Sequence, residues 1–153
     1  MNREWILVAC PTRARLFERV PATGSLRLVR GFVEDDAAGG ADVATPAPRP
    51  ARPISPQRRR HLRFATLLAR QLEGTLGDES GDRVTLVAGC PFLVALRMSL
   101  SPALRRAVTS SVNIDMVDEP AAAIARELAR HRFGGALLHP APAAAHAAHA
   151  GPR

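Results

Sequence analysis

The chain of 153 residues contains no lysine and no tyrosine, and only two cysteines and six aromatic side chains. All 21 of its basic residues are arginine, a compositional bias of the kind a source genome imposes. Two cysteines are too few for a disulfide scaffold, so a reducing compartment is expected. The apolar run at residues 5–10 is too short for the core of a secretory signal. Nowhere does the chain approach the ~18 consecutive apolar residues of a membrane helix. These shortages together predict a cytoplasmic protein with no membrane span. Gly-rich phosphate loops, nucleophile elbows and Ser/His/Asp orders are also missing from the sequence, so a non-enzyme without a cofactor is expected.

What is present is a net charge of +7 and 46% apolar residues, much of that alanine. The charge favours anionic partners or surfaces and says nothing of fold. The length suits one domain with a moderate core.

Residues 83–112 organise the rest. Val84 to Ala88 is a short apolar run rich in β-branched side chains and closed by Gly89, the pattern of a buried strand. Cys90 and Pro91 turn the chain. Phe92, Leu93, Leu96 and Leu100 then recur at helical spacing. Ser101 followed by Pro102 signals a second, capped helix.

Upstream, residues 5–10 read as a buried strand and residues 13–20 as a second, although Ala14, Leu16, Phe17 and Val20 break strict alternation. Residues 26–33 read as a third. Short turns between them predict an antiparallel meander. Residues 34–54 are acidic and then rich in Gly, Ala and Pro without periodicity, which predicts a long disordered loop. Ser55-Pro56 opens a helix reaching about residue 76, with Leu62, Ala65, Leu68, Ala69, Leu72 and Leu76 on its apolar stripe. A polar turn at residues 77–82 leads into the central strand. Residues 107–116 read as a fifth strand, and Glu119-Pro120 opens a last helix with Ile124, Leu128 and Phe133 inward. Residues 139–153 read as a disordered Ala/Pro/His tail.

The expectation is one α/β domain over residues 1–138. Its mixed five-stranded sheet combines the meander with helix-connected strands in three layers. A right-handed crossover places the fourth strand beside the first, giving a ribonuclease-H-like outline.

Arg58, Arg59, Arg60, Arg63 and Arg70 make the first long helix strongly basic. Cations at a helix N-terminus oppose the dipole at a few tenths of a kcal/mol each, about 0.3 or more. The cluster admits three readings: a solvated surface, contact with RNA or the ribosome, or pairing with the acidic run at Glu34, Asp35 and Asp36. Cys10 and Cys90 end the first and fourth strands, where ligand sites of open α/β sheets lie, and Asp115 ends the fifth. Two thiols are half of a tetrahedral metal set with no histidine near in sequence, so free thiols are expected and no metal. Metal-dependent nuclease chemistry needs several gathered carboxylates, which strands ending in cysteine do not supply. Asp115 is expected to cap the final helix. His139, His146 and His149 are not spaced as a preformed site.

The runs WILVAC-PTRARLFE, RFATLLARQLE and RVTLVAGCPFLVALRMSLSPALRRAV resemble the bacterial host attachment proteins, described as required for attachment to host cells. The resemblance covers roughly residues 4–132. It is most specific at Ala14-Arg15, at Val87-Ala88 before Cys90-Pro91, at Phe92-Leu93 and Leu96-Arg97, and at Leu100 to Leu104. Val94 stands where the family usually has glycine, and Ile114 where a lysine usually precedes Asp115. The resemblance implies a binding module with a protein partner not identified by the sequence. The family is also similar in fold to the middle domain of archaeal and eukaryotic release factors, whose loop carries Gly-Gly-Gln. Here Gly39-Gly40 is followed by Ala41, which can neither donate nor accept through its side chain to position a water. The alternative implied is a ribosome- or tRNA-associated factor without that hydrolytic motif.

Overall fold

Glu4–Ala9 forms strand β1, and its five residues from Trp5 onward are all buried. Such a run cannot alternate between core and water, so β1 must lie inside a sheet covered on both faces. In the computed structural model, which describes residues 2–34, 55–76 and 81–138, it does. Residues 35–54 of the expected loop, residues 77–80 of the expected turn and the tail at 139–153 lie outside the described residues, as does the Phe133 side chain.

β2 (Arg13–Arg19) and β3 (Leu26–Val33) complete an antiparallel meander with β1. Helix α1 (Pro56–Thr75) leads to β4 (Arg83–Ala88), which pairs in parallel with β1 from Glu4↔Arg83 to Ala9↔Ala88. Helices α2 (Phe92–Met98) and α3 (Pro102–Ala107) follow, then β5 (Val108–Val112), parallel to β4. The sheet order is β3-β2-β1-β4-β5, so the expected crossover, mixed sheet and ribonuclease-H-like strand order are all present.

One sheet face carries Trp5, Leu7, Ala9, Ala14, Leu16, Val84, Leu86 and Ala88, packed with Phe64, Leu68 and Leu72 of α1 and Phe92, Leu93 and Leu96 of α2. Ile6, Val8, Phe17 and Val87 point to the other face and are also buried. Shielding of both faces accords with the three-layer α/β fold. It also explains why β2 fails to alternate: Leu16 and Phe17 are neighbours on opposite faces, each 1% exposed. Each such side chain contributes about 1.5–3 kcal/mol by leaving water.

Two strands depart from regular pairing. Leu16 pairs with Arg30 and Phe17 with Leu28, leaving Val29 as an extra residue on the edge strand β3. Thr109 is likewise extra on β5. Bulges of this kind bend the strand and strengthen its local twist. β5 is also shorter than the run 107–116 suggests. Asn113 leaves the ladder and its Oδ1 accepts from Cys90 N at 2.9 Å, and Asp115 Oδ1 accepts from Val117 N at 3.4 Å. That local turn, upstream of the helix starting at Ala121, takes up the carboxylate expected to cap the last helix.

The start of the sheet is fixed by a buried acid that periodicity does not reveal. Asp82, 7% exposed, accepts from Arg3 N and Trp5 Nε1, each at 2.9 Å. It ties β1 to the entry of β4 across the crossover. Gly81 beside it has φ +63°, and a Cβ there would lie 2.9 Å from Asn2 Oδ1.

The chain divides into two compact units, Met1–Asp118 and Glu119–Arg153. In the second, helix α4 (Ala121–Leu138) starts after Pro120, whose carbonyl accepts from Ile124 N at 3.1 Å. Ile124 and Leu128 are buried, as their spacing suggests, and Glu127 pairs with Arg130 and His131. No helix among the described residues is long and apolar enough to cross a membrane.

Candidate functional site

Helix α1 begins where serine and proline dictate. Ser55 Oγ accepts from Arg58 N at 3.2 Å and Ser55 O from Arg59 N at 3.0 Å, while Pro56 occupies the first helical position, where no amide donor is needed. Phe64, Ala65, Leu68, Ala69 and Leu72 form the buried stripe. Leu62 is only half-buried, and Phe64 takes the inward place, its ring 6.0 Å from that of Phe92.

At 3.6 residues per turn, Arg59, Arg63 and Arg70 fall on the side opposite that stripe. Arg58, Arg59, Arg60 and Arg70 are exposed and Arg63 is half-buried. Arg59, Arg60 and Arg63 each engage at least one polar or electrostatic neighbour, and a guanidinium's five donors allow further bonds. The first turn carries no acid. The positive helix terminus and Arg59, Arg63 and Arg70 therefore add to one cationic ridge, which Arg58 and Arg60 flank in the first turns. In the acidic run proposed as an internal partner, Glu34 is described and its amide donates to Thr12 O, while Asp35 and Asp36 lie outside the described residues.

Because β1 and β4 run parallel in register, Cys10 and Cys90 leave the sheet at the same end. Both are free thiols: Cys10 is buried, its Sγ 3.4 Å from Thr12 Oγ1, and Cys90 is exposed. Asp115 is exposed at this end too, its Cβ 3.6 Å from where a side chain on Gly89 would begin. Among the described residues no group of three or more His, Cys, Asp or Glu side chains is placed to hold a metal ion.

Next to this end lies a feature absent from the sequence reading. Arg13 and Asp118 form a forked ion pair, Nη1–Oδ1 2.6 Å and Nη2–Oδ2 3.0 Å, and this hydrogen bonding pushes the Arg13 pKa further up. Arg15 lies over the Phe17 ring at 5.1 Å and donates to Met116 O at 3.4 Å. Arg13, Arg15 and Asp118, with Gly31, Val33 and Val117, line an open cavity of about 340 Å³. Partners 105 positions apart carry no local signal; only the fold brings Arg13 to Asp118.

No curated protein matches this chain. Among solved structures, one described as an archaeal protein is similar at 12% identity and a TM-score of 0.47, over 90% of this chain and 40% of that one. A Ppx/GppA phosphatase of Aquifex aeolicus is similar at 12% identity and a TM-score of 0.34, over 73% of this chain and 35% of that one. The chain spans less than half the length of either, and likenesses this distant carry no functional information. Residues 5–128 match the family described as "Protein required for attachment to host cells", and the chain belongs to that family.

Proposed function

We propose that this chain serves its family's attachment-related role as a non-enzymatic binding module that takes an anionic partner on the arginine ridge of α1. The observation that supports this reading is the placing of Arg58, Arg59, Arg60 and Arg70 in solvent on a helix whose first turn holds no acid. A planar guanidinium fork suits carboxylate and phosphate alike. Cysteine in place of a carboxylate at the ends of β1 and β4 does not suit metal-dependent nuclease chemistry.

A second reading, a release-factor-like translation factor acting at the ribosome or tRNA, draws on the same ridge. Ala41 in the place of a glutamine makes its role one of binding.

The test is co-sedimentation of the full chain with ribosomes at low and moderate salt, alongside anisotropy with a labelled single-stranded RNA. If three arginines each meet a phosphate, raising salt from about 50 to 200 mM weakens RNA binding about 20-fold. Loss of co-migration in the triple variant Arg58→Glu, Arg59→Glu, Arg60→Glu supports the translation reading. A wild-type protein that stays at the top of the gradient and ignores RNA removes it and leaves attachment through another anion. Capture of the physiological partner with equal strength by the triple variant sinks the ridge itself.

A further inference from the structure

Helix α2 turns Phe92, Leu93 and Leu96 into the core but leaves Val94 and Met98, four residues apart on its outer side, 52% and 65% exposed. A single exposed apolar side chain is ordinary. These two, however, border one groove of about 500 Å³, whose other lining residues are Arg97, Leu100, Arg105 and Val108. Arg97 and Arg105 are its only ionisable members, and among the described residues neither guanidinium has a hydrogen-bond or ion-pair partner. The groove is therefore an apolar floor with a purely cationic rim. Methionine and arginine, its adaptable and its forked members, are residues enriched in protein interfaces.

The groove opens at Val108, where β5 begins, and β5 is the last strand of the sheet. Thr109, Ser110 and Ser111 are exposed, and among the described residues no strand pairs with the outer edge of β5. Such an edge accepts an extended segment through main-chain hydrogen bonds, while neighbouring pockets select its side chains.

We infer that the groove between α2, α3 and β5 docks an extended acidic peptide segment of a partner protein, with an apolar side chain on Val94 and Met98 and carboxylates on Arg97 and Arg105. Charge complementarity selects the acidic segment and rejects a basic one. A nucleic acid fits less well, because its bases seek aromatic platforms and the groove lining has none. This surface is separate from the α1 ridge and does not rest on the reading of that ridge.

The experiment uses the full chain and a fluorescein-labelled peptide of alternating Asp and Leu, read by anisotropy, with Lys/Leu and Asp/Ser peptides as controls. Saturable binding of the Asp/Leu peptide alone is expected. Two pairs of surface substitutions, Val94→Ser with Met98→Ser and Arg97→Glu with Arg105→Glu, should each weaken it by about tenfold or more, equivalent to ~1.4 kcal/mol. Circular dichroism confirms that each variant is folded, and either folded pair suffices. The Arg58, Arg59, Arg60 triple variant retains peptide binding, which separates this surface from the ridge. Absence of saturation, equal binding by folded groove variants, equal binding of the Lys/Leu peptide, or loss only in the α1 triple variant overturns the proposal.

Discussion

Replacing Asp82 by alanine removes the acceptor of two hydrogen bonds, from Arg3 N and from Trp5 Nε1. The indole is 3% exposed, so its N–H cannot turn to water when the carboxylate goes. A hydrogen bond to a charged group is worth about 1.5–3 kcal/mol, and a buried donor left unsatisfied costs about 1–3 kcal/mol. The Arg3 amide is partly buried and rehydrates more easily. An overall loss of about 3 kcal/mol follows. Trp5 is the only tryptophan and tyrosine is absent, so intrinsic fluorescence reports unfolding from the perturbed site itself. With an m-value of about 1.5 kcal/mol/M in urea, the midpoint should fall by about 2 M. A double-mutant cycle isolates the indole bond: in a Trp5→Phe background, followed by circular dichroism, Asp82→Ala should cost about 1–2 kcal/mol less than in the wild type. A loss below about 0.5 kcal/mol, the range of ordinary surface substitutions, would refute the clamp.

Two further perturbations test the packing account. Gly81→Ala combines positive φ with a Cβ 2.9 Å from Asn2 Oδ1, whereas Gly24→Ala at φ +72° meets open space; chemical denaturation should show both destabilised by about 1–2 kcal/mol, with Gly81→Ala the worse. Equal costs would mean that Asn2 swings aside freely. Leu96→Ala, at a fully buried position among Phe92, Leu93 and α1, should cost about 2–5 kcal/mol by thermal or urea unfolding, and a value under 1 kcal/mol would mean that the cavity collapses.

Periodicity and punctuation made most of the fold legible. The Ser-Pro pairs at 55–56 and 101–102 mark helix starts because the serine oxygen satisfies an amide three residues on, a local event. The β1–β4 pairing followed from crossover handedness, a rule that needs no side-chain detail. Residues whose setting is decided by distant partners were less legible. Phe64 points inward because Phe92 is there to meet it, β5 stops because Asn113 serves the Cys90 amide, and Asp82 is buried because Arg3 and Trp5 need an acceptor. The α1 arginines were legible as a cluster, but their division into an exposed ridge required the buried stripe. The α2–α3 groove was not legible at all, because helical spacing leaves Val94 and Met98 off the apolar face without saying that Arg105 and Val108 border them.

Strand β1 carries a consequence for synthesis. It leaves the ribosome well before β4, one of its two sheet neighbours. The acid that fixes its start follows Arg3 by 79 positions. At about 5–20 residues per second, the start of β1 waits about 4–16 s for that acid, with the edge that β4 will pair still open. Over that interval the open edge invites pairing with other chains, and the arrival of Val84 to Ala88 closes it.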